Sequence, residues 1–460
     1  MKYIAEKDIK DIGYYQELDN TTIFVDDLKH KGLELVNEAK TLNMKILGAK
    51  GASPKHNNWI RAIAIGKSIP RLIKIIFPNN VILLDYNNFD TNKENVPLEE
   101  MQLIVDELAS YADQGCKIMT GNSLITSLLG DFEERLVALK SEEKDNYDFL
   151  VNAIKGGANW IAYPNIIENY EIHYDYHQLY AYVMTHNKFP YGGGKLVEGY
   201  YESPFAIYQI IGTAKLKKDG YPIIPSEDKA LGGDGKEFSL ASECPYLCNI
   251  DLELLMANYD LKDFYVVRTF YYDRCFDGSD QFNDLVNIMY NKRKLFKGKP
   301  QGRLYKQLNE IIPGHFEMSE YVGDFYTKDF TNSNPDKIKR YNPKVGIWIT
   351  AYARKMLYEL LLRCNKKDVI GFDTDCVFLR KDYHLDDITG DNPGQIHEDG
   401  RYINVVHYAS KRYVGFDYYT GEYFEKISGK SKTGKGWKYN KEKNNYELVE
   451  VAYEARQFTF

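Results

Sequence analysis

The chain has 460 residues, and its 59 Lys and Arg against 66 Asp and Glu leave a formal net charge of −7. Hydrophobic residues at 44% and charged residues at 27% suit a folded protein with a sizeable core in several units and argue against disorder. No apolar run reaches the roughly 18 residues of a membrane-spanning helix, MKYIAEKDIKDIGYYQ at the start lacks an apolar signal core, and six cysteines in so long a chain make no disulfide framework. A cytoplasmic setting is expected, with no membrane among the partners.

In chain order, 25–42 reads as a helix opened by Asp26 and Asp27, with Leu28, Leu35, Val36 and Ala39 facing inward. RLIKIIFPNNVILLDY (71–86) predicts two short apolar strands split at Pro78, Asn79 and Asn80. PLEEMQLIVDELASYADQG (97–115) predicts an amphipathic helix with Pro97 at its start, Glu99 and Glu100 in its first turn and Gly115 at its stop. The charged stretch 141–148 is the first boundary. Beyond it, 170–225 is rich in Tyr and Gly, and 251–275 pairs a short helix with a strand. KVGIWITAYARKMLYELLLRC (344–364) carries apolar residues at 345, 348, 349, 352, 356, 357 and 360, the period of a buried helix. VIGFDTDCVFL (369–379) is two apolar strands about an acidic turn, and the tail from 426 is basic. The interleaving predicts an α+β fold.

Three segments carry chemistry. Asp373 and Asp375, two apart, would project to one side of extended backbone, where a hard cation such as Mg²⁺ would relieve their repulsion; an Asp-rich turn chosen for turn chemistry alone is the alternative. In NYEIHYDYHQLYAYVM (169–184), Asp175 sits where a strand gives way to a helix, as a catalytic acid or an N-cap. His173 and His177 flank it and read as surface histidines more readily than as a zinc pair. Cys244 and Cys248 read as structural thiols by the same ligand count. From Lys292 to Lys306 there are seven basic residues and no acid, an anion-binding signal or a solvated basic loop. KGGANW (155–160) and KRY (411–413) add glycines for close backbone approach and a basic–aromatic cluster.

The order of these pieces resembles the polymerase half of the protein-primed family B DNA polymerases of bacteriophages and related elements. DYHQLY matches the first catalytic motif, Asp-x-x-Ser-Leu-Tyr, at Asp175, Leu179 and Tyr180. KQLNEIIPGHF resembles the second at Lys306, Gly314 and Phe316, and FDTDC matches the third at Asp373, Thr374 and Asp375. KGGANW is similar to the Tyr-x-Gly-Gly element through Gly156 and Gly157, and KRY to the Lys-x-Tyr element through Lys411 and Tyr413. IDLELLM (250–256) and ITAYAR (349–354) are further strings of the family, and the resemblance spans about 150–420. Gln178, Ala181, Pro313 and Ile154 depart from the motifs, and Asn309 is displaced by one. Pro313 should kink or shorten its helix.

The resemblance implies a right-hand polymerase of palm, fingers and thumb. It divides the chain into a reduced exonuclease-like domain at 1–150, palm and fingers at 151–400 with a priming-protein-type insertion at about 200–290, and a small basic thumb at 401–460. The implied activity is addition of dNTPs to a primer 3′ hydroxyl on a DNA template. Asp175 and Asp375 would hold two Mg²⁺ ions, with Mn²⁺ as a substitute, and Asp373 would support them. Lys306, Lys294, Arg303 and Tyr180 would bind the nucleotide; Gly156, Gly157, Lys411 and Tyr413 would bind DNA. A terminal (priming) protein is a candidate partner, and the host cytoplasm of a phage or mobile element the candidate location. No exonuclease motif set is traceable before 150, Tyr86 and Asp90 being an isolated match, so no proofreading is expected. A catalytically decayed polymerase fold that only binds nucleic acid is the rival reading, and template-free nucleotidyl transfer a third.

Overall fold

A computed structural model describes residues 145–226, 229–316, 343–409 and 411–427 nearly continuously, with shorter stretches elsewhere. The expected helix at 25–42 and nearly all of the expected exonuclease-like domain lie outside the described residues. Strand pieces at Lys74–Ile75 and Leu84–Asp85 fall within the apolar stretch 71–86. In the 97–115 segment, residues 103, 107, 110 and 111 are helical, and Gly115 takes a φ of 87° just beyond them, the left-handed stop that glycine suits.

The chain divides into two compact units, one of residues 1–135 with 282–341 and one of 136–281 with 342–460. The second unit begins with α1 (Tyr147–Ala153), β1 (Asn159–Ile161), β2 (Ile167–Glu168), β3 (Glu171–Tyr176) and α2 (Leu179–His186). There follow β4 (Lys195–Glu198), β5 (Ala206–Leu216), β6 (Phe238–Ser239), β7 (Tyr246–Cys248), α3 (Asn249–Asn258) and β8 (Tyr259–Tyr271). The chain leaves along α4 (Gly278–Leu295) and, in the first unit, forms α5 (Pro300–His315). It returns with α6 (Pro343–Leu362), β9 (Val369–Asp373), β10 (Cys376–Leu379), β11 (Ile396–Ala409), β12 (Arg412–Asp417) and β13 (Tyr423–Ile427). The basic tail continues as an antiparallel pair, Thr433–Asn440 with Asn445–Ala452.

The main sheet of the second unit is antiparallel, in the order β13-β12-β11-β3-β10-β9-β1, with β2 on β11. A second antiparallel sheet orders β6-β5-β8-β4, with β7 also on β5. Packed helices and antiparallel sheets make the α+β class expected from the sequence. β3 is central and nearly fully buried, so the polar residues on it require partners inside the protein. β9 approaches β1 so closely that a Cβ on Gly371 would run into the Trp160 carbonyl. α6 packs against α1, α2 and α3. Its first three turns are buried almost all round, while Tyr352 and Met356, expected inside, are partly exposed. Cys244 and Cys248 are buried free thiols, and burial raises both.

In the first unit, Lys292 pairs with Glu107 at 2.8 Å, and the Tyr111 and Tyr305 hydroxyls meet at 2.8 Å. Pro313 does not end α5, which runs to His315 with the proline in its last turn.

Candidate active site

β3 carries Asp175 near its end, and the β9–β10 hairpin turns beside it. Asp175 lies opposite Cys376 on β10, and the Tyr176 N–H donates to the Asp375 carbonyl at 2.9 Å. Sheet register therefore brings together two acids 200 positions apart. Asp373 ends β9, but Asp375 lies in the turn beyond it, so the two do not share one extended run as the spacing suggested. Thr374 takes a φ of 61°, and the Asp375 N–H closes onto the Asp373 carbonyl at 2.7 Å. The conformation is unusual for a β-branched residue, and three contacts meet there. The Thr374 N–H donates to the Ala158 carbonyl at 2.7 Å, its hydroxyl to Asp373 at 3.1 Å, and a Cβ on Gly157 would come within 2.7 Å of its side chain. Close approach thus requires glycine at 157, whereas Gly156 faces open space.

Burial, then the charges of Asp175 and Asp373, push the Asp375 carboxyl up to about 7 against the pull of Lys411. The Lys411 ammonium sits 3.0 Å from Asp373. Carboxylate oxygens are the ligands that Mg²⁺ takes, and this crowding of acids is the deficit that a divalent ion relieves, so the donor set fits the implied metal.

The surroundings hold residues that motif reading passed over. His397 lies opposite Asp175 on β11, and ligand atoms of Asp175, His397 and Asp399 lie within 4.8 Å of one another. His397 stacks on His177 at 3.9 Å, and His177 reaches Asp391 at 3.8 Å. His173 is not a surface residue: it is 0% exposed and bonded to Glu171, while His407 reaches both Glu171 oxygens at 2.8 and 2.9 Å. The strand is buried on both faces, so its histidine has to be paired within the core. These three residues also have the donors for a metal, but an ion on both Nε2 atoms would put protons on both Nδ1 atoms, which are buried without partners and so lack the support that metal-bound histidines receive. Hydrogen bonding fits this set better.

Tyr180 lies on α2 and is partly exposed. Tyr413 is 6% exposed and stacks on His407 at 4.7 Å, so its ring packs into the core and offers no open face to a base. Asp175, Tyr180, Asp373, Asp375, Gly156, Gly157, Lys411 and Tyr413 all belong to the second unit, and Lys294, Arg303 and Lys306 to the first. Lys294 is exposed in the last turn of α4; Lys306 is exposed on α5, 4.0 Å from Glu310.

The other missed residues are Arg354 and Asp251, which join in a buried ion pair at 2.7 Å. Their signal was a charge within the apolar helix strings ITAYAR and IDLELLM. No helix among the described residues is long and apolar enough to cross a membrane.

Residues 124–309 match the family described as DNA polymerase type B, organellar and viral. No curated protein matches the chain significantly. Among solved structures it is similar to Phi29 DNA polymerase with primer-template DNA and incoming nucleotides, with a TM-score of 0.66 at 18% identity, covering 95% of this chain and 91% of that one. The orthorhombic crystal form of Phi29 DNA polymerase gives 0.64 at 17%, over 95% and 91%. Its complex with single-stranded DNA gives 0.61 at 18%, over 88% and 81%. At such identities the likeness is one of fold, and that fold is the right-hand polymerase expected from the motifs. Residues 124–309 thus match the organellar and viral type B DNA polymerase family, within a chain that has the right-hand polymerase fold.

Proposed function

We propose that the protein is a DNA-directed DNA polymerase that adds dNTPs to a primer 3′ hydroxyl, with Asp175 and Asp375 as the metal-holding acids. The observation that carries this reading is the convergence of these two acids at adjoining strand ends, with burial and the acidic neighbours pushing the Asp375 carboxyl up to about 7. When bound there, two Mg²⁺ ions would activate the primer hydroxyl and stabilise charge on the transferring phosphate. Asp373 shares the turn and pairs with Lys411 at 3.0 Å, which makes that lysine the candidate for a DNA phosphate beside the acids. Lys306, Lys294 and Arg303 are the candidates for nucleotide phosphates on charge alone, and Tyr180 for packing under the sugar.

In this reading 151–400 serve as palm and fingers and 401–460 as thumb. The sheet of β4 to β8 forms most of the insertion between about 200 and 290, where a priming protein would dock. Proofreading is not expected, and the location is the cytoplasm of a phage or mobile-element host.

The test is extension of a labelled primer–template with Mg²⁺ and dNTPs, with and without template. Asp375→Asn should lower incorporation by at least about a hundredfold, consistent with the loss of several kcal/mol of charge stabilisation. Equal incorporation by parent and variant would remove the assignment. A folded parent that binds DNA without extending it would establish the decayed-fold alternative, and extension without template would favour untemplated transfer.

A further inference from the structure

Arg354 lies inside the helical layer, 1% exposed. Its Nε and Nη2 grip the two Asp251 oxygens of α3 at 2.8 and 2.7 Å, and its Nη1 donates to the Lys155 and Gly156 carbonyls at 2.8 and 2.6 Å. One guanidinium therefore ties α6 and α3 to the backbone just before β1. The next two residues of that backbone carry the acidic turn: Gly157 lies against the Thr374 side chain, and the Ala158 carbonyl receives the Thr374 N–H. The path from Arg354 to Asp375 is thus a run of hydrogen bonds and one close contact.

We infer that Arg354 is a positioning residue for the Asp373–Asp375 turn, acting through the 155–158 backbone. This rests on the polymerase reading of that turn. The planar guanidinium spreads its donors over a fork, here satisfying a carboxylate on one side and two carbonyls on the other. A lysine carries its three donors on one nitrogen and cannot reach both sets from this helix. Outer supports of this kind commonly set ligand geometry, and their loss weakens metal affinity by roughly tenfold to a hundredfold.

The experiment uses the full chain and the variants Arg354→Lys, Gly157→Ala and Gly157→Ala with Thr374→Gly. Four quantities are read: the melting temperature, Mn²⁺ binding without DNA from the free-ion resonance signal, the Mg²⁺ concentration for half-maximal primer extension, and kcat against KM for dNTP. Arg354→Lys should weaken Mn²⁺ binding by roughly tenfold, raise the Mg²⁺ midpoint by a similar factor, and lower kcat more than it changes KM. Gly157→Ala leaves every Arg354 partner in place but drives a methyl into Thr374, so it should give the same signature with little loss of melting temperature. Thr374→Gly removes the atoms which that methyl meets and suits the positive φ, so the double variant should recover towards the parent in Mn²⁺ affinity.

Parent-like Mn²⁺ affinity and Mg²⁺ midpoint in folded Arg354→Lys would overturn the inference. If that variant fails to fold, parent-like values in Gly157→Ala would overturn it instead. A parent that binds Mn²⁺ but does not extend primers sinks the polymerase reading alone, and the Mn²⁺ affinities of the variants then decide the positioning role. A parent that extends primers, with both variants unchanged, sinks the positioning role alone.

Discussion

Glu171, His173 and Asp175 alternate down one face of β3, and Glu171 titrates in the opposite sense to Asp375 in the adjoining turn. Burial would raise Glu171, but His407 and His173 outweigh it and hold the carboxyl at about 2, below its ordinary 4.5. Because the folded value is the lower one, this carboxylate stabilises the fold above pH 4.5, and that stability is lost as the pH falls from 4.5 towards 2. The linked free energy is on the order of 3 kcal/mol. Glu171→Gln should therefore make unfolding free energy less dependent on pH across that window. It should also cost about 1–3 kcal/mol at pH 7, since the amide puts an NH2 donor where Glu171 Oε2 meets the His407 ring nitrogen and removes the charge that strengthens both hydrogen bonds. Denaturant titrations of parent and variant at pH 3, 4.5 and 7 measure both effects, and equal slopes between pH 3 and 4.5 would refute the assignment. The grouping of Asp175 with Asp373 and Asp375 was expected from short sequence motifs, and the register does bring them side by side. The Glu171–His407 pairing was not expected, since it spans 236 positions and arises only from sheet register.

At the level of elements, periodicity and turn signals revealed α2, α6 and the β9–β10 hairpin. They could not reveal which strands lie side by side, so the burial of His173 and Tyr413 went unseen. The strands of the basic tail were likewise hidden, because its glycines and lysines carry little strand signal. Pro313 illustrates the limit of a local rule: placed in the last turn of α5, it removes one ladder bond without ending the helix. Gly371 shows a demand that single-strand reading misses, for its constraint comes from β1 across the sheet. Gly371→Ala must push β1 aside and should cost about 1–3 kcal/mol, as overpacking does. Chemical denaturation would register this as a lower midpoint with an unchanged slope. An unchanged midpoint would mean that β1 yields freely.

For the whole molecule, the net charge of −7 means that DNA, on the proposed polymerase reading, would be held by a local basic surface rather than by the overall field. Lys411, beside the acidic turn, and its chain neighbour Arg412 are the test of this. Each phosphate contact contributes about 0.7–0.9 to the log–log slope of affinity against salt. Lys411→Gln with Arg412→Gln should therefore flatten the primer–template salt response by roughly 1–2 units in slope if each residue touches a phosphate. Titration at several salt concentrations measures it, and a parent with a flat response would exclude this surface as the anchor. That the second unit is assembled from 136–281 and 342–460 was not foreseen in the sequence, where the boundary signals were charge and turn residues rather than contacts.

The placing of β3 between β10 and β11 also bears on how the protein is made. Both neighbours are encoded about 200 residues after β3, so a ribosome adding roughly 5–20 residues per second exposes this strand for ~10–40 s before either can pair with it. Over that interval its apolar side chains and open backbone groups invite pairing with other nascent chains. Asp251 likewise waits for Arg354, 103 residues downstream. Translation that stalls between the end of β3 and the start of β9 would release fragments prone to aggregation, so yield in a foreign host should depend more on uninterrupted elongation and chaperone capture than on the stability of the finished fold.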